Sequence, residues 1–241
     1  MSKALELKDA ILEAYDPEAV ILFGSLGRGD ADEFSDVDLL VVMETDGDTK
    51  TFSEEMTRYL DRIARDKHVI LRTPSEFCRQ IDIPGTLVFS AAKEGRVLFE
   101  KAGWQQGHEV IEPYETRKLE VIRQGYVREA GDFLAQAGAS LERGSLFRCR
   151  DLAKFAAARA LKGLFVLHDM HPPRETDLVS LLEEVRVLEP GLEGHAAFLR
   201  ELNEYCPNGR GTAEIRRARK MVERAAAFFE GTTGWHRSLP P

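Results

Sequence analysis

Residues 19–42 have the sequence AVILFGSLGRGDADEFSDVDLLVV, and this stretch decides the fold of the first half of the chain. Two apolar runs, at residues 19–23 and 37–42, flank a glycine-rich turn, as expected for two buried strands of one sheet. Side chains alternate between the two faces of a strand, so Asp36 and Asp38 project to the same side. The stretch therefore predicts a sheet that carries two adjacent carboxylates at one strand end.

Two carboxylates side by side repel each other unless a hard cation lies between them. Mg²⁺ suits such a pair, because it binds one or two carboxylates together with phosphate oxygens and water. The turn at Gly24-Ser25 adds backbone N–H groups and a hydroxyl, and the N-terminus of a following helix would also favour phosphate. The residues predict a metal-dependent site for phosphoryl groups.

The same residues resemble a known family. The Gly24-Ser25 turn and the Ser35-Asp36-Val37-Asp38-Leu39 run that begins ten residues after Ser25 are similar to the minimal nucleotidyltransferases of the polymerase-beta-like superfamily. The resemblance covers residues 1–102, since residues 73–77, 84–86 and 93–100 are similar to the rest of that small domain. It implies an α/β nucleotidyltransferase domain with a small mixed sheet, which we place at residues 1–104.

The resemblance also implies roles for individual residues. Asp36 and Asp38 would be catalytic ligands of Mg²⁺, with Mn²⁺ as an alternative metal. Gly24, Ser25 and Arg28 would bind the triphosphate of a nucleoside triphosphate, for which we expect ATP. A hydroxyl of the acceptor would attack the α-phosphorus, and pyrophosphate would leave.

One position departs from the family. Its members usually carry a third carboxylate on the strand before the Thr73-Pro74 turn, and His68 occupies that position here. Three interpretations stay open. His68 is the general base, or it has no role and Asp66, Asp82 or a carboxylate of the second half approaches the site, or the site binds a nucleotide without transferring it.

The second half of the chain has helical periodicity throughout. Interruptions at Gly103 and Pro113 mark the change, and we place the second domain at residues 105–241. Apolar residues recur at helical spacing in five segments, namely 119–141, 152–167, 178–188, 198–205 and 215–229. The pattern predicts an up-and-down helical bundle with residues 152–167 as its central helix.

This bundle resembles the HEPN helical domains, which often accompany minimal nucleotidyltransferases. Residues 154–164 and 172–179 carry the resemblance, which also implies a homodimer. HEPN ribonucleases have an Arg-x4–6-His motif, and no histidine of residues 105–241 has an arginine at that distance upstream. We therefore expect no ribonuclease activity.

Composition limits the classes of partner and the cellular compartment that we expect for this protein. Residues 1–105 contain 13 Lys and Arg against 21 Asp and Glu, and this acidic balance argues against general affinity for nucleic acid. No run is long enough to span a membrane, and no signal segment precedes the first helix. The widely spaced Cys78, Cys149 and Cys206 indicate neither a disulfide framework nor a zinc site, so we expect a cytoplasmic protein.

Together these patterns predict a two-domain, Mg²⁺-dependent nucleotidyltransferase that moves a nucleoside monophosphate onto a hydroxyl. The acceptor is a small molecule, as in the similar aminoglycoside adenylyltransferases, or a protein, as in some toxin–antitoxin pairs. The alternative is a catalytically impaired nucleotide-binding module with a regulatory or toxin–antitoxin-type role.

Overall fold

The two apolar runs form neighbouring strands of one sheet in a computed structural model, which describes residues 2–32, 35–108, 110–209 and 211–233. The chain divides into two units, Met1–Arg117 and Lys118–Pro241. The first unit extends beyond residue 104, and its last residue, Arg117, forms an ion pair with Asp82. The domain boundary between residues 104 and 105 stays a prediction.

Helices and strands alternate in the first unit, which confirms the predicted α/β class. Their bounds are α1 (Ser2–Ala14), β1 (Ala19–Phe23), α2 (Gly24–Arg28), β2 (Val37–Val42), α3 (Thr49–Tyr59), β3 (Lys67–Arg72), α4 (Pro74–Gln80), α5 (Leu87–Glu94) and β4 (Arg96–Glu100), with 3-10 turns at Leu60–Arg62 and Trp104–Gly107.

The described strands form a mixed sheet in the order β3-β2-β1-β4. Strand β1 is antiparallel to β2 and β4, whereas β2 and β3 are parallel. Helices α1 and α3 pack on one face of the sheet, and α4, α5 and Trp104 pack on the other. Strands covered on both faces are apolar at nearly every position, which explains the runs at residues 19–23 and 39–42.

The second unit is helical, as predicted. Helix α6 (Tyr114–Ile122) begins in the first unit and is followed by a π-helical segment (Arg123–Arg128), α7 (Glu129–Glu142), α8 (Leu146–Leu167), α9 (Leu178–Val185), a 3-10 turn (Pro190–His195), α10 (Ala196–Glu204) and α11 (Thr212–Thr233). Buried residues run along α8 from Leu146 to Val166, so α8 is the central helix. Across the described residues, no helix has both the length and the apolar character that a membrane span requires.

Candidate active site

Asp38 lies near the start of β2, where three strands meet side by side. Its register partners are Phe23 at the end of β1 and His68 near the start of β3. Registered neighbours project to the same face of a sheet, so His68 lies beside Asp38. The Nδ1 atom of His68 is 3.8 Å from Oδ1 of Asp38. The sheet therefore brings together two of the residues that the sequence nominated.

Gly24 brings the backbone directly against Asp38. It has a φ of +67°, and a Cβ added to it would lie 2.1 Å from Oδ2 of Asp38. Only glycine fits such an approach without displacing the carboxylate. The next residue, Ser25, is half-buried, and its carbonyl accepts hydrogen bonds from the N–H groups of Gly29 (2.9 Å) and Asp30 (3.1 Å). The Gly24-Ser25 turn is thus fixed beside Asp38.

Two glycines that the sequence analysis gave no role hold this turn against the sheet. A Cβ on Gly27 would lie 2.7 Å from the carbonyl oxygen of Leu22, and one on Gly95 would lie 2.9 Å from the same oxygen. Helix α2 therefore approaches the end of β1 more closely than any side chain would allow. The spacing of Gly27 from Gly24 is the local signal, but the contact with Gly95 depends on the tertiary fold.

The surroundings of Asp38 disfavour the ionised form of its carboxyl group. Its side chain is 26% exposed, and burial raises its pKa above the usual value. Asp36, which is exposed, raises the pKa of Asp38 further, whereas His68 and Arg28 lower it. The two carboxylates are thus close enough to repel each other, and a cation between them would relieve both burial and repulsion.

The donor set of this pair fits Mg²⁺ better than a softer metal. In the part of the chain that the structure describes, no group of three or more His, Cys, Asp and Glu side chains is arranged to hold a metal ion. Asp36 and Asp38 would supply two carboxylate ligands, and Mg²⁺ takes one or two carboxylates from protein when phosphate and water complete its shell. A site for Zn²⁺ would need more nitrogen or sulfur ligands.

Arg28, at the end of α2, is the cation beside the turn. Its Nε donates to Oδ2 of Asp30 at 3.1 Å, and its Nη1 is 3.9 Å from Oε2 of Glu94. The two acidic partners orient the guanidinium, and its charge lowers the pKa of Asp38. Arg28 is therefore held near the carboxylates by local ion pairs.

Comparison with known families identifies both halves of the chain. Residues 6–102 match the family model described as polymerase beta, nucleotidyltransferase, and residues 124–235 match the HEPN domain. The chain is a polymerase-beta nucleotidyltransferase domain followed by a HEPN domain. This confirms the predicted fusion and its order.

Solved structures with a similar course of the chain include two nucleotidyltransferase-type proteins. A nucleotidyltransferase-like protein from Exiguobacterium sibiricum is 10% identical with a TM-score of 0.47, and the match covers 98% of this chain and 77% of that one. The spectinomycin adenyltransferase from Enterococcus faecialis, solved with ATP and spectinomycin, is 10% identical with a TM-score of 0.48, over 95% and 99% of the two chains. A comparison with curated proteins finds no match.

Within the nucleotidyltransferase domain, the residues weighed as general base differ in their surroundings. The side chain of His68 is 66% exposed beside Asp38. The carbonyl of Asp66 accepts a hydrogen bond from the N–H of Val37 at 3.1 Å, so the backbone of Asp66 also lies at the start of β2. Asp82 is instead held by Arg117 through two hydrogen bonds of 2.7 and 2.8 Å, which lower its pKa. A carboxylate with a lowered pKa is a weak base, so Asp82 is the less suitable candidate.

Proposed function

We propose that the nucleotidyltransferase domain transfers a nucleoside monophosphate from a nucleoside triphosphate, with ATP as the expected donor, to a hydroxyl of a small-molecule or protein acceptor. The observation that carries this proposal is the approach of the Gly24 backbone to Asp38, because it sets the Gly24-Ser25 turn, to which we assign triphosphate binding, directly against one of the two carboxylates. Asp36, His68 and Arg28 complete the site by their electrostatic effect on Asp38.

Each residue has a defined task in this reaction. Asp36 and Asp38 hold Mg²⁺, or Mn²⁺ in its place, and the metal when bound neutralises charge on the phosphates and stabilises the leaving pyrophosphate. The backbone N–H groups at Gly24 and Ser25 and the Ser25 hydroxyl orient the triphosphate. Arg28 supplies a further positive charge. Catalysis then depends on positioning and charge stabilisation.

His68 is the proposed general base. The acceptor oxygen forms a bond to the α-phosphorus, the bond from that phosphorus to the bridging oxygen breaks, and pyrophosphate carries away the bonding electrons. The proton of the acceptor hydroxyl goes to the imidazole of His68. The carboxylate of Asp38, 3.8 Å from Nδ1, stabilises the imidazolium that results.

One observation favours a second function. His68 replaces an oxygen ligand with a nitrogen, and nitrogen is a poor ligand for Mg²⁺ beside oxygen donors. A domain with this change would bind a nucleotide without transferring it and would act as a regulatory or toxin–antitoxin-type module. The two functions differ in turnover, which is directly measurable.

The test uses each nucleoside triphosphate labelled with ³²P at the α-phosphate, incubated with the full chain and Mg²⁺, with and without cell lysate. Transfer should place label on a protein or small molecule, and the Asp36→Asn variant and added EDTA should both abolish it. Nucleotide binding without transfer would favour the second function. Label that persists in Asp36→Asn would refute the proposed site.

A further inference from the structure

Lys67, the first residue of β3, has an ammonium group buried inside the nucleotidyltransferase domain. Its side chain is 0% exposed. The Nζ atom donates hydrogen bonds to Oδ1 of Asp61 and to the carbonyl oxygen of Ala64, the latter at 2.8 Å. Lysine is almost never fully buried unless it is paired. The three residues thus form a clamp, which we call the Lys67 clamp, across the segment that leads into β3.

The Lys67 clamp fixes the strand position next to the carboxylate pair. The register partner of Lys67 in β2 is Val37, the residue between Asp36 and Asp38. The N–H of Val37 donates to the carbonyl of Asp66, the residue before Lys67, at 3.1 Å. The start of β3 therefore holds the backbone from which both carboxylates project.

Lys67 itself projects away from the carboxylates. Side chains alternate along β3, so Lys67 and His68 face opposite sides of the sheet. His68 is exposed beside Asp38, whereas Lys67 is buried on the other side. Any effect of Lys67 on the site is consequently transmitted through the register of β3 against β2.

We propose that Lys67 is a positioning residue for the metal-binding pair Asp36 and Asp38, an inference that rests on the proposed function. Without the ammonium group, the carbonyl of Ala64 loses its donor and the segment before β3 is released. Asp61 tolerates the loss, because its side chain is 58% exposed. The carboxylate spacing then varies, and metal affinity falls while the fold persists.

The test measures binding of Mn²⁺ alone to the full chain, with free Mn²⁺ counted by electron paramagnetic resonance. We expect Lys67→Met to weaken Mn²⁺ binding about 10- to 100-fold, the range typical of groups that support metal ligands. Asp61→Asn should have a smaller effect, because the Ala64 bond remains. Lys67→Arg should bind Mn²⁺ with an affinity closer to that of the wild type than Lys67→Met does, since it keeps a charged donor.

Lys101 provides the matched control. It forms ion pairs with Asp16 (2.8 Å) and Glu18 (3.4 Å) in the same unit. It follows β4 at the end of the sheet where Glu100 pairs with Ala19, the end away from Asp38. Lys101→Met should therefore bind Mn²⁺ as wild type does. Circular dichroism and thermal melting establish that each variant is folded.

The outcomes separate the inference from the proposed function. Wild-type Mn²⁺ affinity in folded Lys67→Met, or an equal loss in Lys101→Met, overturns the positioning role. If Lys67→Met does not fold, Lys67→Gln decides by the same criterion, because it also removes the ammonium group. Wild-type affinity in Asp36→Asn would instead refute the metal site itself, whatever the Lys67 variants do.

Discussion

Gly24 brings its backbone directly against the Asp38 carboxylate, and we expect Gly24→Ala to inactivate the domain. The new Cβ would meet Oδ2 of Asp38 at 2.1 Å, and alanine would be strained at a φ of +67°. Displacement of a reacting group by about 1 Å costs on the order of 100-fold in rate. Turnover in the label-transfer assay, compared at equal folded concentration, checks this expectation.

Gly29→Ala separates strain from collision. Gly29 has a φ of +86°, yet no atom of the residues that the structure describes lies within 4 Å of an added Cβ. Both variants should lose about 1–2 kcal/mol of unfolding free energy from the left-handed backbone, but Gly29→Ala should keep most of its activity. Equal activity losses in the two variants would show that strain alone is responsible.

Asp38 is expected to reduce stability while it serves function. Because its pKa is raised in the folded state, the native protein binds more protons than the unfolded chain between the usual value of 3.8 and the folded-state pKa, and stability falls as the pH rises through this window. Asp38→Asn should thus raise the melting temperature at pH 7 in EDTA and abolish transfer. The gain should vanish as the pH approaches 3.8. A lower melting temperature for Asp38→Asn at pH 7 would contradict this sign.

The residues of the candidate site were predictable to the extent that their signal is local. Gly24, Ser25, Asp36 and Asp38 lie within one short stretch whose spacing is visible in the sequence. The close packing of Gly27 and Gly95 and the burial of the Lys67 ammonium group were not visible. These features depend on contacts that form only in the folded chain. For example, the carbonyl oxygen of Leu22 lies against both Gly27 and Gly95.

Boundaries of helices were also predictable only where they depend on local sequence. Helical spacing predicted one helix over residues 119–141, but the structure contains a π-helical segment at Arg123–Arg128. Tyr126 of that segment packs against Gly163 of α8, where an added Cβ would lie 3.1 Å from Cβ of Tyr126. Periodicity in one segment carries no information about such a contact.

The sequence contains a local signal for the start of α4, although the sequence analysis predicted no helix there. Thr73 and Glu76 form a capping box, in which the Thr73 hydroxyl accepts from the Glu76 N–H and the Glu76 carboxylate accepts from the Thr73 N–H. The Thr-x-x-Glu spacing is a recognised helix start. Here the sequence contained the information, and a helix of seven residues was simply too short for apolar periodicity to reveal.

Asp177 is the N-cap of helix α9, and we expect Asp177→Ala to destabilise the helical unit. The Asp177 carboxylate accepts hydrogen bonds from the N–H groups of Val179 and Ser180, and from Nδ2 of Asn203 at 2.6 Å. Loss of such a cap costs about 1 kcal/mol. Urea unfolding at pH 7, followed by circular dichroism, measures the change.

The pH dependence of this effect has a defined direction. Hydrogen bonds lower the pKa of Asp177 below 3.8, so its contribution to stability is present above that pH and disappears as the pH falls through the folded-state pKa. Asp177→Asn keeps an acceptor for the helix N–H groups and serves as the control. It should remain closer to wild type than Asp177→Ala at pH 7, and a larger loss in Asp177→Asn would argue against capping.

Each unit of the chain has a hydrophobic core of its own, which is the basis of a prediction about the entire protein. Two clusters of buried apolar residues lie on the two faces of the sheet, between Ala4 and Trp104, and a separate cluster around α8 runs from Leu146 to Phe228. Segments with separate cores are able to fold alone. Every residue assigned to the metal site, including the Lys67 clamp, lies in residues 1–117.

We therefore expect a fragment of residues 1–117 to fold and to bind Mn²⁺ with the affinity of the full chain. This fragment retains Arg117, whose ion pair with Asp82 closes the first unit. Circular dichroism tests folding, and electron paramagnetic resonance tests Mn²⁺ binding, with Asp36→Asn in the same fragment as the control. A folded fragment that binds Mn²⁺ much more weakly than the full chain would show that residues 118–241 contribute a ligand. An unfolded fragment would show that the core around the sheet is insufficient by itself.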